Sequence, residues 1–267
     1  MEKLIILGTG AAMVTKCYNT CFTLSKDNKH FLIDVGGGNT ILTNLEKSNI
    51  QIADIHDVFI THSHNDHVTG IVWIIRAAAQ KMLDKKYNGT LNIYCYKELI
   101  NIIRTISSLL LQNKFTKFFD ERILFHEITD NGIFKIQEWD ITFFDIKSSK
   151  QLQYGFTTTL SNGKKLTYTG DEPYNEGLHN YAVNADYLVH EAYCVYAHKD
   201  IFKPYEKYHA TVMDASMTAS KLNIKNLILI HTEDKNISQR KTLFTDEAKQ
   251  YFGGNVLVPD DLEIIEL

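Results

Sequence analysis

Thr61-His62-Ser63-His64-Asn65-Asp66-His67 is the stretch that decides how this chain reads. It follows Val58-Phe59-Ile60, a short run of β-branched and aromatic residues that reads as a buried strand. It precedes Val68 to Met82, an apolar, alanine-rich run long enough for a helix. Three imidazoles and a carboxylate therefore sit on a strand-to-helix turn. Borderline divalent metals take nitrogen and carboxylate-oxygen ligands, and zinc is the commonest ion for such a set. His62 and His64 are two residues apart, so an extended backbone points both to one side. Asp66 and His67 are adjacent, and the turn can aim them at a second point. The competing reading is a polar loop that happens to hold histidines, but four ligand-type residues crowd into positions 62–67.

The bulk composition sets limits. A chain of 267 residues can be one large α/β domain or two small ones, with a sizeable core either way. Hydrophobic residues make up 44%, which excludes general disorder. The net charge of -4 provides no global basic field for holding a polyanion. Cys17, Cys21, Cys95 and Cys194 show no C-x-x-C spacing and read as reduced thiols of a cytoplasmic protein. The N-terminus lacks the pattern of a signal peptide, and no apolar run reaches the ~20 residues of a membrane helix.

Along the chain, strands are expected at Leu4 to Leu7, Cys21 to Leu24 and His30 to Val35, with a helix from Thr40 to Ser48. The lone Gly8-Thr9-Gly10 is a turn, because a dinucleotide fingerprint needs a further glycine where Met13 stands. Leu91 to Cys95 is a strand, and Glu98 to Gln112 has helical spacing. Strands follow at Ile123 to Ile128, Gly132 to Ile136 and Asp140 to Ile146. Phe156 to Leu160 and Lys165 to Thr169 pair across Asn162-Gly163, a strong hairpin turn. Apolar strands at Asp186 to Val189, Leu227 to Ile230 and Asn255 to Val258 complete the pattern. His56 reads as a surface residue and His126 as structural. Phe115, Phe118 and Phe119 read as core or dimer contact.

The H-x-H-x-D-H string resembles the signature of the metallo-β-lactamase superfamily. The chain resembles its ribonuclease Z-like branch over nearly its whole length. Leu7-Gly8-Thr9-Gly10, Asp34 before Gly36-Gly37-Gly38, Thr169-Gly170-Asp171, His190-Glu191-Ala192, His209-Ala210-Thr211 and His231-Thr232 carry the likeness. It implies an α/β four-layer αββα sandwich in one domain over 1–267. It implies zinc, one or two ions, with manganese or iron as alternatives. His62 and His64 would hold a first ion, Asp66, His67 and His231 a second, and Asp171 would bridge them. Asp34 would orient the histidine loop without being a ligand. His209, supported by Glu191, would face the substrate as a catalytic group, and Asp66 would guide a proton. One position departs from the pattern. Where relatives carry a third histidine, this chain has Lys147, and a protonated lysine has no lone pair to give. The first ion would then be absent or weakly held, or Lys147 would serve as a fixed charge near an anionic substrate.

The implied function is a metal-dependent hydrolase, of phosphodiesterase type, acting through metal-bound hydroxide. Relatives of the tRNA-processing kind commonly insert an arm between the third-histidine position and the bridging aspartate, and the segment from Lys147 to Asp171 leaves no room for one. A small phosphodiester or ester is therefore favoured over a tRNA precursor. A homodimer is the implied assembly, and no membrane partner is expected. The alternative is a degenerate member that binds a ligand or partner without turnover, which the lysine at 147 favours.

Overall fold

The computed structural model describes residues 1–267. Strands β1 (Glu2–Gly8), β2 (Cys21–Lys26), β3 (Lys29–Ile33), β4 (Ile55–Phe59), β5 (Leu91–Cys95), β6 (Ile123–Glu127) and β7 (Ile133–Ile136) come first. Seven more complete the set: β8 (Trp139–Asp145), β9 (Tyr154–Thr159), β10 (Lys165–Tyr168), β11 (Tyr187–Glu191), β12 (Asn226–Ile230), β13 (Asn255–Leu257) and β14 (Ile264–Glu266). The chain divides into two compact units, each with its own seven-stranded sheet. Mixed α/β structure on two such sheets is the metallo-β-lactamase fold class, as the sequence implied.

Unit 1 comprises residues 1–8, 18–129 and 261–266. Its sheet runs β14-β1-β2-β3-β4-β5-β6. β1 to β3 are antiparallel, whereas β3, β4, β5 and β6 are parallel neighbours. Parallel neighbours need crossovers, and helices Thr40–Lys47, Ile71–Leu83 and Lys97–Leu110 lie in them. Helix Ile71–Leu83 buries Ile71, Ile74, Ile75, Ala78, Ala79 and Met82, the spacing of a single helical face.

The expected single helix from Val68 to Met82 is two helices, Asn65–Val68 and Ile71–Leu83. The break is at Gly70, whose N–H donates to Gly36 O at 2.9 Å. A Cβ on Gly70 would stand 2.1 Å from Val35 O, so only glycine allows this approach. β14 has no counterpart among the expected strands; it extends the sheet antiparallel to β1, pairing Leu4 with Ile265.

Unit 2 comprises residues 9–17, 130–260 and 267, with sheet order β13-β12-β11-β10-β9-β8-β7. The hairpins β7–β8, β8–β9 and β9–β10 are antiparallel, and β10 through β13 are parallel. Leu188, Leu227 and Leu229 from its strands form one core with Ala215 and Ala219 of helix Val212–Lys221 and Phe244 of helix Arg240–Tyr251.

Both sheets thus contain a run of parallel strands. Side chains just beyond the carboxyl ends of such strands share one edge, which is where open α/β sheets place their sites. In unit 1 those positions are Asp34 after β3 and Thr61-His62 after β4. In unit 2 they are Asp171 after β10, Glu191 closing β11 and His231 after β12. All four cysteines are free thiols, and no helix is long and apolar enough to cross a membrane.

Candidate metal centre

The histidine stretch of unit 1 is organised by Asp34. This carboxylate is buried and its backbone is left-handed, at φ +54°. Its Oδ1 accepts Thr61 N–H at 2.9 Å, its Oδ2 accepts the Thr61 hydroxyl at 2.9 Å, and Oδ2 also lies 2.7 Å from His67 Nδ1. Burial pushes the Asp34 carboxyl above its ordinary value, and His67 and Thr61 pull it back.

The partners fix two tautomers. A carboxylate only accepts, so His67 carries its proton on Nδ1 and keeps a lone pair on Nε2. The single Thr61 hydroxyl proton goes to Asp34. Toward His62 Nδ1, 2.8 Å away, that oxygen therefore accepts. His62 then also carries its proton on Nδ1 and keeps its lone pair on Nε2. One buried carboxylate thus leaves the lone pair of two imidazoles on Nε2, one directly and one through Thr61.

Those nitrogens have ligand-type neighbours. His62 Nε2 lies 2.9 Å from His64 Nδ1, and His67 Nε2 lies 3.4 Å from Asp66 Oδ2. Two ligand atoms on a tetrahedral zinc, with bonds of about 2.0–2.1 Å, are roughly 3.3 Å apart. The His67–Asp66 pair has the spacing of atoms that share an ion, whereas the His62–His64 pair sits at hydrogen-bond distance. His62, Asp66 and His67 are buried, and His64 is half-buried.

The donor set of unit 2 is built differently. Gly170, at φ +81°, turns the chain after β10 and delivers Asp171. His231 also has left-handed backbone, at φ +58°, where β12 ends. Its Nε2 lies 3.5 Å from Asp171 Oδ2, again a ligand–ligand spacing. The turn after His231 is pinned by Arg240, a buried guanidinium that donates to Thr232 Oγ1 and Thr9 Oγ1 at 2.9 Å each.

His209 reaches the same end of the sheet. The segment from His209 to Thr211 runs beside Tyr193 and Cys194: Tyr193 N–H donates to Ala210 O at 2.9 Å, and Val212 N–H to Cys194 O at 2.9 Å. Thr211 then caps helix Val212–Lys221 in a reciprocal box with Asp214. Glu191 accepts Ala210 N–H at 2.5 Å and lies 3.2 Å from His209 Nδ1. The imidazole stacks on the Tyr193 ring, with centroids 5.2 Å apart. Glu191, His209 and His231 form a group of potential ligands by themselves. Burial pushes the Glu191 carboxyl well above its ordinary value. His190, pointing the other way from the same strand, is buried and held neutral by desolvation.

Lys147 is not among these groups. Its backbone is left-handed, at φ +57°, and its side chain is 54% exposed. The ammonium pairs with Asp145 at 2.9 Å and Asp130 at 3.2 Å, which raises its pKa above the ordinary lysine value. It stays protonated and has no lone pair for a metal. His126 hydrogen-bonds Asn92 within unit 1, in keeping with a structural role. His56 is half-buried, with its ring against Tyr87, rather than freely exposed. Sequence reasoning missed Thr61 as the relay to His62, Tyr193 as the stacking partner of His209, and Gln153, whose amide meets Asp171. None of these is a ligand type, so composition alone could not flag them.

Buried imidazoles beside carboxylates, on a two-sheet fold shared with metallo-β-lactamase fold proteins, make a candidate metal centre, and the chain is similar over nearly its whole length to ribonuclease Z proteins. Residues 2–250 match the family described as "Anti-Pycsar protein Apyc1", and the chain belongs to that family. Among curated relatives, Ribonuclease Z of Prochlorococcus marinus (strain MIT 9515) is 28% identical, over 96% of this chain and 97% of its own length. Ribonuclease Z of Nanoarchaeum equitans is 25% identical, over 98% of this chain and 92% of its own. Among solved structures, the metallo-β-lactamase fold protein YhfI from Bacillus subtilis superposes with a TM-score of 0.80 at 18% identity, covering 98% of both chains. The short form of human tRNase Z gives 0.75 at 22% identity, covering 99% of this chain and 98% of its own. At such identities these two speak for the fold.

Proposed function

We propose that the donor sets of the two units act together as one centre for one or two divalent ions, so that residues 1–267 work as a single catalytic domain. Neither set supplies four ligands to one ion, the number zinc ordinarily takes. His62 and His64 would hold one ion and Asp66, His67 and His231 another, with Asp171 available to either. Zinc suits this nitrogen-and-carboxylate set, with manganese or iron as alternatives. The observation that carries the proposal is the Asp34–Thr61 relay, which leaves His62 and His67 with their lone pairs on Nε2.

The reaction is hydrolysis, and a phosphodiester is the favoured substrate. An ion held there would supply Lewis acidity and a water of lowered pKa. Asp66 would be the group placed to guide that water's proton. Glu191 lies 3.2 Å from His209 Nδ1, where its charge would support a protonated imidazole that gives a proton toward a developing anionic oxygen or to the leaving oxygen. Tyr193 keeps that ring in plane through its stacking contact.

The substrate is smaller than a tRNA precursor. Between Lys147 and Asp171 there are only a short loop and the β9–β10 hairpin. The alignment with the Prochlorococcus marinus relative spans 312 positions against 267 residues here, so at least 45 of its positions face gaps in this chain. A net charge of -4 gives a polyanion no general attraction.

The test is elemental analysis of purified protein, with a screen of bis-p-nitrophenyl phosphate, lactones and thioesters. Bound ion together with phosphodiester hydrolysis supports the proposal. Bound ion with no turnover of any of them would favour the non-catalytic alternative, and salt-dependent tRNA binding in a gel shift would overturn the small-substrate preference.

A further inference from the structure

Three rings and an ammonium stand in a row in unit 2. The His209 imidazole lies 5.0 Å, centroid to centroid, from the His231 ring. On its other neighbour, Tyr193, it stacks at 5.2 Å with the planes only 10° apart. Lys207 closes the row: its Nζ donates to the Tyr193 hydroxyl oxygen at 3.1 Å and lies 4.7 Å from that ring's centre. The backbone fixes the arrangement. Tyr193 N–H donates to Ala210 O at 2.9 Å, and Tyr193 O accepts Glu233 N–H at 2.8 Å. Lys207 N–H and His209 N–H both donate to Pro204 O, at 2.9 and 3.0 Å. Tyr208 between them has left-handed backbone at φ +58°, a conformation a bulky residue rarely adopts. Lys207 and His209 both reach Tyr193 across this turn. Lys150 adds a second cation there, its Nζ donating to Lys207 O at 3.3 Å and lying 3.8 Å from Glu172.

We infer that Tyr193 and Lys207 form a binding pair for an anionic oxygen of the substrate, and so select a phosphodiester over a neutral ester. The inference rests on His209 facing the substrate, as proposed above. An ammonium has only protons to give, so the Tyr193 oxygen accepts from Lys207 and its own proton points elsewhere. No protein group accepts that proton, and the Tyr193 side chain is only half-buried. The Lys207 ammonium pairs with no carboxylate, on an exposed side chain of a chain whose net charge is -4. A phosphodiester shares a full negative charge between its non-bridging oxygens, whereas an ester, lactone or thioester carries none. A phenol O–H with an ammonium behind it makes a charge-assisted hydrogen bond to the first and only an ordinary one to the second. The pair thus supplies locally the positive field that the chain as a whole lacks.

The experiment is steady-state hydrolysis of bis-p-nitrophenyl phosphate by zinc-loaded, full-length protein over a series of KCl concentrations. The native chain is compared with Tyr193→Phe, Lys207→Met and Lys207→Arg, and melting temperatures are measured alongside. A contact made alike in the ground and transition states shows in KM rather than kcat. Tyr193→Phe keeps the ring against His209 and loses the O–H. Its KM rises about 10- to 100-fold, the usual worth of a hydrogen bond to a charged group, while kcat falls far less. Lys207→Met raises KM at low salt and flattens the rise of KM with KCl, because the screened charge is gone. Lys207→Arg keeps the native KM and the native salt dependence, and all melting temperatures stay near native. Native KM in Tyr193→Phe, or native KM and salt dependence in Lys207→Met, would overturn the pair and leave the hydrolase standing. So would a fall in kcat and melting temperature at unchanged KM, the mark of a merely structural role. Should Tyr193→Phe fail to fold, Lys207→Met, at an exposed position, decides alone. No turnover of the phosphodiester by the native chain would overturn the proposed function and this inference with it.

Discussion

Asp34→Asn is the most informative change in unit 1. Asparagine tolerates the left-handed backbone at φ +54°, so the turn itself is preserved. Its Oδ1 can still accept Thr61 N–H, but its Nδ2 now faces His67 Nδ1, formerly 2.7 Å from a carboxylate oxygen. Two N–H groups cannot meet there. His67 must move its proton to Nε2, and that nitrogen then has no lone pair for an ion. Loss of a group that orients a ligand costs about 10- to 100-fold in metal affinity, or about 1.4–2.7 kcal/mol. Metal-free stability should change less. A buried carboxylate that desolvation has already pushed up in pKa is itself a cost that the neutral amide relieves. Calorimetric Zn²⁺ titration gives the affinity, and imidazole ¹H–¹⁵N spectra of metal-free protein give the tautomer. Native affinity in Asp34→Asn, or a His67 that keeps its proton on Nδ1 in the variant, would refute the relay.

His209→Ala and Glu191→Gln should each lower kcat on a phosphodiester about 10²- to 10⁴-fold with ion content retained; kinetics paired with elemental analysis checks this. Lys147→His should not raise metal occupancy and Lys147→Ala should cost under about 1 kcal/mol, because the side chain is half exposed and paired away from the donors; a stoichiometry measurement and a urea melt decide both. His30 and His190 are buried with pKa values below 6.5, so the unfolded chain binds more protons as pH falls through that value. Stability is complete above pH 6.5 and declines below it, by up to about 1.4 kcal/mol per pH unit for each histidine. His30→Gln should flatten that slope in urea melts at a series of pH values, and an unchanged slope would contradict it.

The ligand-type residues were legible because their chemistry is local. Four of them sit in one turn, and His231 follows directly on the apolar strand Asn226–Ile230. Parallel pairing then put Asp34 beside Thr61 in unit 1, and Asp171, Glu191 and His231 along one edge in unit 2, which no residue pattern states outright. The helix break at Gly70 was hidden because its cause is a backbone approach to Val35 and Gly36 from a distant turn. β14 is three residues long and exists through its pairing with β1, so no periodicity announces it. Lys147 was placed correctly in the chain, but its direction depends on Asp130, which lies 17 residues away. Gln153 was silent for another reason: an amide is not a ligand type, and its role comes from what it touches.

Crystals of the full chain grown with zinc, with anomalous differences collected at the zinc edge, put the shared metal centre to the sharpest test. An ion bonded both to His67 with Asp66 and to His231 with Asp171 is the expected result. Zinc bound by ligands of one unit alone, or no anomalous peak near either donor set, would contradict it.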